Sequence, residues 1–534
     1  MNHHSSYKNP FTLLGASDLQ DLQKNWKTDM LSGFLVFLLA LPLSLGIAKA
    51  SGFPASMGVL TAMVGGLITP LFRVSPLTIK GPAAGLITVC SGAFLEFGGE
   101  SYWPMVTAAV MVASLLQLLL ALGRLGSLSD LFPHSAVHGM LAAIGIIIIS
   151  KQFPVLMGVA PDMYAGKPPL ELLAEIPNFI RHAQLEPAIL GVVSLIIMFL
   201  YPSIQRGWLK KVPAPMWVLL IAIPTSLARQ FSETLPAYTL VHIGDFWGDF
   251  GFHFNFSLIG TWVFWKYVLM FLFINSLESL LTVKAIDSMD PQKRTSDYNG
   301  DLFGLGVGNF VSSILGGLPM ISEVVRSSAN VGFGAQTKWS NFFHGAFLLL
   351  SMLLLIPIIE LIPNAALAAM LLFAGYRLAS PRQFRQTLQI GWEQLAIFLV
   401  TIGITLAEDL LLGVASGITL KLLIHITRWL FLGSFFKPNF VLRPDLVPQT
   451  LEIQGAALFT HLIGYKKVLE RLSNESLVRI DFSHCEFVDH SFLEFIEEQR
   501  NHALNEKREI LVTGLEGMKP ISRHPLASRV RVNR

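Results

Sequence analysis

Seven stretches of this 534-residue chain run for 19 or more positions without Asp, Glu, Lys or Arg. A helix needs about 20 apolar residues to cross the hydrocarbon core of a bilayer. One such stretch could be a signal anchor, but seven cannot, so the sequence predicts a polytopic α-helical membrane protein with the lipid bilayer as a partner. A soluble enzyme, a nucleic-acid-binding protein and a secreted disulfide scaffold are excluded. The stretches are residues 30–48, 50–72, 101–123, 131–150, 187–205, 302–322 and 339–359.

The charged residues are unevenly distributed along the chain. They make up 14% of the whole sequence, whereas soluble proteins contain about 25%. Residues 438–534, however, carry 13 basic and 13 acidic residues, a composition that is ordinary for a soluble domain. We therefore predict a cytoplasmic N-terminal segment at residues 1–29, a transmembrane domain at residues 30–436 and a cytoplasmic domain at residues 437–534.

Shorter apolar runs raise the count to 14 predicted crossings, seven before residue 231 and seven after residue 261. With the N-terminus in the cytoplasm, 14 basic residues fall in the inside connections and five in the outside ones, which agrees with the positive-inside rule. We expect a plasma (bacterial inner) membrane protein with both termini in the cytoplasm. The crossings lie near residues 30–48, 54–72, 77–97, 103–123, 132–150, 185–203, 213–230, 262–284, 300–316, 319–334, 339–358, 363–378, 391–408 and 410–430.

An odd number of crossings in each half makes any repeat inverted, and inverted repeats are typical of transporters. The third and tenth crossings are both interrupted, by Ser75-Pro-Leu-Thr-Ile-Lys-Gly-Pro-Ala-Ala-Gly85 and by Gly316-Gly-Leu-Pro-Met-Ile-Ser-Glu-Val-Val-Arg-Ser-Ser-Ala-Asn330. A helix that begins inside the membrane leaves N–H groups and a partial positive charge that an anion can satisfy. Pro82 suits the first turn of such a half-helix. For a single segment, Pro and Gly would indicate only a kink, but the pairing across the halves favours a binding site.

Ionisable residues inside membrane segments are costly and are functional candidates. Lys80 and Arg326 lie in the two interrupted segments, where both could face an anion. The alternative for Arg326 is a simple salt bridge with Glu323, three residues away on the same helical face.

Glu278 and Thr282 are one helical turn apart and share a face. A carboxylate beside a hydroxyl suits a sodium site or a proton carrier, because both need oxygen ligands and a charge that can change. The alternative is an idle, solvated carboxylate about 9 Å inside the cytoplasmic membrane edge. His344, near the start of a predicted segment, is interpreted as an interfacial residue.

Several motifs together resemble the SulP family of inorganic anion transporters, the sulfate permease-like proteins. The resemblance covers nearly the whole chain. It implies a fold of seven plus seven inverted segments shared with the uracil transporter, in which a core and a gate move in an elevator-like cycle, and it suggests a homodimer. The motifs are Leu41-Pro42 in a broken first helix, Gly81-Pro-Ala-Ala-Gly85, Glu278-Ser-Leu-Leu-Thr282, Gly306-Val-Gly-Asn309, Gly316-Gly-Leu-Pro319 and Arg326-Ser-Ser-Ala-Asn330.

The resemblance also implies the roles of individual residues. The substrate would lie between the starts of the third and tenth half-helices. Glu278 and Thr282 match positions that help to form the sodium site in cyanobacterial sodium–bicarbonate members, and in other members the acid is proposed to carry a proton. The implied coupling residues are Glu278, Thr282 and Glu323, with Na⁺ or H⁺ and no other cofactor. The implied substrate-binding residues are Lys80, Pro82, Ala83, Ala84, Gly85, Ser322, Glu323, Val324 and Arg326.

Two positions depart from the family pattern. Glu323 stands where many members have a small residue, and Lys80 replaces the small Ser that is common before Gly-Pro. A carboxylate at the start of the tenth half-helix would repel an anion unless it is protonated or balanced by a cation. We expect Lys80 to offset Glu323.

The tail resembles a STAS domain, the module that follows the membrane part in this family. Its predicted strands are residues 450–457, 477–482 and 509–513, and its predicted helices are residues 460–472 and 491–504. Ser491 stands where related anti-sigma-factor antagonists carry a phosphorylated serine. Here Ser491 is interpreted as a helix N-cap.

Together these features predict a secondary active transporter of a small inorganic oxyanion, with bicarbonate slightly preferred over sulfate and with sodium or proton coupling. Two alternatives stay open: a nucleobase/proton symporter on the same fold, and an anion channel. No nucleophile–base pair or metal-ligand cluster stands out in the sequence, so an enzyme is not expected.

Overall fold

The computed structural model describes residues 16–99, 103–126, 133–165, 167–204, 212–243, 246–247, 251–292, 294, 296–408, 410–426, 437–472, 475–505 and 508–531. The chain forms two compact units, Met1–Gly126 with Ile144–Leu378, and Ser127–Ala143 with Ala379–Arg534. Residues 1–15 of the predicted N-terminal segment and residues 427–436, before the predicted domain boundary, lie outside the described residues.

The first unit is helical apart from two short strands, β1 (Lys80–Gly81) and β2 (Ile321–Ser322). Helix α5 begins in the second unit and ends in the first. The helices are α1 (Ala16–Ala50), α2 (Ala55–Ile68), α3 (Ile87–Phe97), α4 (Trp103–Leu122), α5 (His134–Leu156), α6 (Pro169–Ala174), α7 (Ile176–Arg181), α8 (Leu185–Ile204), α9 (Ala214–Ala228), α10 (Phe231–Thr234), α11 (Trp262–Met289), α12 (Tyr298–Ile314), α13 (Val324–Gly332), α14 (Trp339–Leu354), α15 (Ile356–Ile359) and α16 (Asn364–Leu378).

The second unit continues with three helices and a mixed α/β fold. The helices are α17 (Pro381–Ile390), α18 (Trp392–Ala407) and α19 (Leu410–Ile426). The α/β part consists of β3 (Phe440–Arg443), β4 (Gln449–Ala457), α20 (Leu462–Arg471), β5 (Leu477–Val488), α21 (His490–Asn505), β6 (Glu509–Thr513), β7 (Met518–Pro520) and β8 (Arg529–Arg531).

Each predicted crossing contains a helix, because the long apolar runs can satisfy their backbone groups only internally. Among the described residues, four helical stretches are long and apolar enough to span a bilayer: Asp18–Ala50, Trp103–Leu122, His134–Leu156 and Trp262–Asp287. The number of membrane spans and the inverted repeat stay predictions. The α-helix of the third predicted crossing begins only at Ile87, after a 3₁₀ turn, and that of the tenth begins only at Val324. Both crossings are therefore interrupted, as the sequence predicts.

The local structure at two prolines differs from the prediction. Helix α1 runs continuously through Pro42 instead of breaking there, since neighbouring segments in a helical membrane protein can satisfy the backbone group that a proline frees. Pro82 lies between β1 and the N-cap residue Ala83, not in the first turn of a half-helix. The pairing of β1 with β2 keeps residues 80–81 extended, so the first helical turn begins only at Ala84.

The six strands of the tail form one sheet in the order β3-β4-β5-β8-β7, with β6 also paired to β5. Strands β4, β5 and β6 are parallel, which is consistent with a STAS domain. Strand β5 was predicted to end at Phe482. It continues to Val488 because Phe487 and Val488 pair with β8.

A buried ion pair joins α19 to the turn after β5. The ammonium of Lys421 lies 3.3 Å from Asp489 Oδ2 and donates to Ser491 Oγ at 2.9 Å. Asp489 also accepts the N–H groups of Phe459 and Phe492 at 2.9 and 2.7 Å. Asp489, and not Ser491 as predicted, therefore caps α21.

The charge of Asp489 is set by these same neighbours. Burial raises the pKa of Asp489, but the charge of Lys421, the neighbouring His425 side chain and the N–H of Phe492 outweigh burial and hold the pKa below its usual range. The carboxylate is therefore ionised at neutral pH, where it compensates the buried ammonium.

We expect Asp489→Ala to lower the free energy of unfolding by about 3–5 kcal/mol, because it leaves the Lys421 ammonium buried without its counter-charge. The measurement is the melting temperature of the full-length protein in detergent. Glu497→Ala is the control, since that carboxylate is 44% exposed and 3.7 Å from Arg500, and a pair of this kind contributes about 0–1 kcal/mol. Equal melting temperatures for the two variants would contradict the expectation.

Candidate functional site

The two interrupted segments meet as a two-stranded antiparallel ladder. Lys80 pairs with Ser322, and Gly81 pairs with Ile321. Beside the ladder, the N–H of Glu323 donates to the carbonyl oxygen of Ile79 at 3.0 Å. Because a helical turn begins shortly after each strand, the ladder brings the starts of α3 and α13 into one region of the first unit.

Lys80 is fully buried in a complete set of polar partners. Its ammonium donates to Asp301 Oδ1 at 2.6 Å, Thr78 Oγ1 at 2.7 Å and Ser322 Oγ at 2.6 Å. An ammonium has three hydrogens to donate, and these three bonds use all of them. In this conformation Lys80 positions the ladder and keeps no donor for a substrate.

Asp301 was not identified from the sequence. In the sequence it is the charged residue immediately before the uncharged run 302–322, and in the structure it lies in the first turn of α12. The carboxylate accepts the Lys80 ammonium and also the backbone N–H of Ser75 at 2.8 Å. The ion-pair partner of Lys80 is therefore Asp301. The sequence analysis had expected Lys80 to offset Glu323 instead.

Glu278 lies at the start of the first half-helix. A Cβ atom added to Gly85 would be 2.4 and 2.5 Å from its two carboxylate oxygens, so the carboxylate lies against the 3₁₀ turn Ala84–Leu86 that leads into α3. Glu278 is only 7% exposed, and its Oε1 atom has no hydrogen-bond partner among the described residues. The carboxylate is therefore buried and not solvated, unlike in the alternative considered from the sequence.

Two further oxygen groups lie on the same helix as Glu278. Thr282, one turn further along α11, is 2% exposed, and Asn275, three residues before Glu278, is also 2% exposed. Within the described part of the chain, Asn275 Oδ1 also has no hydrogen-bond partner. These buried oxygens fit the donor set that a sodium ion prefers, and an unpartnered carboxylate can equally hold a proton.

Glu323 does not bind the Arg326 side chain. Its Oε2 atom accepts the backbone N–H of Arg326 at 2.6 Å and so caps α13. The Arg326 guanidinium is fully buried, and none of its three nitrogens has a hydrogen-bond partner among the residues that the structure describes. A Cβ atom at Gly81 would lie 2.6 Å from Arg326 Nη1, so only a glycine leaves room for the guanidinium beside the ladder.

His344 on α14 is fully buried, which corrects its interpretation as an interfacial residue. It lies close enough to Arg326 to interact with it electrostatically. In the described structure neither of its ring nitrogens has a hydrogen-bond partner. Arg326 and His344 thus lie near each other at the second half-helix, and neither side chain has a hydrogen-bond partner among the described residues.

The predicted substrate-binding residues differ in their exposure. Val324 is 46% exposed, and Ala84 and Glu323 are partly exposed. The remaining members are buried, namely Lys80, Pro82, Ala83, Gly85, Ser322 and Arg326. The most exposed members of the predicted set are therefore the first residues of both half-helices and the N-cap of the second.

Comparison with known proteins agrees with this architecture. A model described as the sulfate permease family matches residues 26–401. The chain is 26% identical over 420 residues to the putative sulfate transporter YvdB of Bacillus subtilis, covering 77% of this chain and 75% of that one. It is 23% identical over 421 residues to the bicarbonate transporter BicA of Synechocystis, covering 77% and 72% of the two chains.

Two solved structures share the fold. The transmembrane domain of a cyanobacterium bicarbonate transporter, BicA, superposes with a TM-score of 0.63 at 22% identity, covering 73% of this chain and 97% of that chain. The overall structure of SLC26A9 superposes with a TM-score of 0.68 at 14% identity, covering 93% and 86%. The second match extends to the C-terminal α/β domain.

We expect Asp301→Ala to lower the free energy of unfolding by about 3–5 kcal/mol, because the Lys80 ammonium is then buried without a counter-charge. Replacing both partners, as Lys80→Met with Asp301→Leu, is expected to restore most of the lost stability, since neither charge is then buried alone. The measurement is again the melting temperature of the full-length protein in detergent.

Asp297→Ala is the matched control for this series. Asp297 is the exposed N-cap of the same helix, α12, and loss of an N-cap costs about 1 kcal/mol. A double variant as unstable as Asp301→Ala alone would show that the unpaired charge is not the cause.

Proposed function

This chain belongs to the sulfate permease family and is an anion transporter, and from that premise we propose that it carries a small inorganic oxyanion by secondary active transport. Bicarbonate is slightly preferred over sulfate as the substrate, and Na⁺ or H⁺ is the coupling ion. The proposal includes an elevator-like cycle, a homodimer and a plasma (bacterial inner) membrane location with both termini in the cytoplasm.

The observation that carries this proposal is the meeting of two half-helix starts at the β1–β2 ladder. Backbone N–H groups at a helix start point outward and carry a partial positive charge, so they bind oxyanions. We place the anion against Ala83, Ala84 and Gly85 on one side and against Ser322, Glu323 and Val324 on the other. Pro82 and Lys80 shape the first of these starts, and Arg326 supplies a full positive charge behind the second.

The charges in the site support coupling to a cation. Lys80 and Asp301 compensate each other, which leaves Glu278 and Glu323 against the single guanidinium of Arg326. An added oxyanion would increase an excess of negative charge in a region where charges are poorly screened. We therefore propose that a proton or a sodium ion enters with the anion, and we assign it to Glu278 and Thr282, with Glu323 as a second acidic position.

Uptake into proteoliposomes tests the substrate and the coupling ion. We expect labelled bicarbonate to accumulate more than labelled sulfate, and an inward sodium or proton gradient to increase that accumulation. Liposomes without protein are the control. Accumulation of sulfate alone would contradict the preference for bicarbonate, accumulation of uracil would favour the nucleobase symporter, and an anion current without accumulation would favour the channel.

Gly85→Ala tests the position of Glu278. The new Cβ atom would displace the carboxylate, which is the flexible end of its side chain, so we expect a folded protein in which uptake falls about 100-fold. Gly332→Ala is the matched control on the other half-helix, because its added Cβ atom has no heavy atom within 4 Å. Uptake by Gly85→Ala at the control's rate would argue against a role for the Glu278 carboxylate.

A further inference from the structure

We propose that the Glu323 carboxylate is a tethered competitor of the transported anion, which must displace it from the start of α13 in order to bind. This inference rests on the proposed function, because it concerns how the same anion site is regulated. It assigns Glu323 a role that follows from its own contacts rather than from its position in the chain.

The carboxylate already makes a contact that an oxyanion would make. Its Oε2 atom accepts the N–H of Arg326 at 2.6 Å, within the first turn of a nine-residue helix. The N–H groups of a helix's first turn are the donors that bind oxyanions. One donor cannot serve the side chain and an incoming oxyanion equally well, so the two compete for it.

Among the described residues, no side chain caps the start of the other half-helix. Its N-cap is Ala83, which makes no capping bond through its side chain, and an alanine side chain contains no acceptor. A side-chain carboxylate thus hydrogen-bonds an N–H group at the start of α13, whereas the Glu278 carboxylate lies against the start of α3 without a capping hydrogen bond. An anion that uses both starts meets the competitor only at α13.

A second carboxylate lies near the first. Glu278 is buried at the start of α3 with Oε1 unpartnered among the described residues, and it is close enough to Glu323 to interact with it electrostatically. An anion arriving at α13 would be a third negative group in this region. Because Glu323 is only partly buried and Val324 beside it is 46% exposed, Glu323 can turn toward the opening as the anion enters.

Displacement lowers the apparent affinity for the anion. When the binding-competent state is a fraction of the population, the measured dissociation constant is the intrinsic constant divided by that fraction. Removing the competing carboxylate should therefore tighten anion binding, whereas removing a residue that attracts the anion should weaken it. Substitution of Glu323 should therefore raise the affinity for the anion if Glu323 is a competitor, and lower it if Glu323 attracts the anion.

The test compares Glu323→Ser and Glu323→Gln with the wild type in the full-length, reconstituted protein. Serine is a good N-cap without charge, so we expect the KM for bicarbonate and for sulfate uptake to fall by at least about tenfold. Glutamine keeps the length and an acceptor oxygen but is a weaker competitor, so we expect a smaller fall. An unchanged or higher KM in both variants would overturn the proposal, and if Glu323→Ser does not fold, Glu323→Gln decides alone.

Asp297→Ser is the matched control, because Asp297 is also a capping carboxylate, at the start of α12, and its side chain is exposed. We expect its KM to equal that of the wild type, and a similar fall in KM there would count against a specific role of Glu323. If the wild type shows no saturable uptake of any anion, the proposed function fails. If it transports an anion but neither variant binds it more tightly, only the competitor role fails.

Discussion

The ion pair between Lys80 and Asp301 fixes the geometry on which the rest of the site depends. Transferring both charges from water into the protein costs several kcal/mol for each ion, and the cost is offset only when the geometry is good and further hydrogen bonds complete both groups. Both conditions hold, since the ammonium has three partners and the carboxylate also accepts the N–H of Ser75. The pair therefore ties the first interrupted segment, α12 and β2 together at one point.

The helix starts are positioned from that point. Ala84 follows Gly81 of β1 by three residues, and Val324 follows Ser322 of β2 by two, so neither helix can begin elsewhere while the ladder is formed. The two starts are nevertheless used differently, since a side-chain carboxylate caps only the second. A carrier must release its substrate as well as bind it, and a site whose donors are shared with the protein's own carboxylate releases an anion more readily than one that is fully open.

The long uncharged runs and the two interruptions were enough to predict the helices and the meeting of the interrupted segments. The role of Glu278 stays a prediction. The partners of the charges could not be predicted in the same way. Asp301 lies 221 positions from Lys80, and only the packing of α12 beside β1 brings them together. The three-residue spacing of Glu323 and Arg326 fits a side-chain salt bridge and a helix cap equally well. Only the folded structure shows that Glu323 accepts the backbone N–H of Arg326 and is therefore a cap.

Within the described part of the chain, buried charges fall into two classes, which their hydrogen bonds distinguish. Lys80 with Asp301 and Ser322, and Lys421 with Asp489 and Ser491, repeat one arrangement in which an ammonium binds a carboxylate and a hydroxyl. In both cases the carboxylate also accepts backbone N–H groups, so these charges have partners within the fold and hold elements together. Glu278 Oε1 and the Arg326 guanidinium are also buried but lack hydrogen-bond partners among the described residues. A buried charge without such partners is costly unless something else compensates it, which is why the proposed coupling cation is assigned to Glu278 and the proposed anion to the half-helix start beside Arg326.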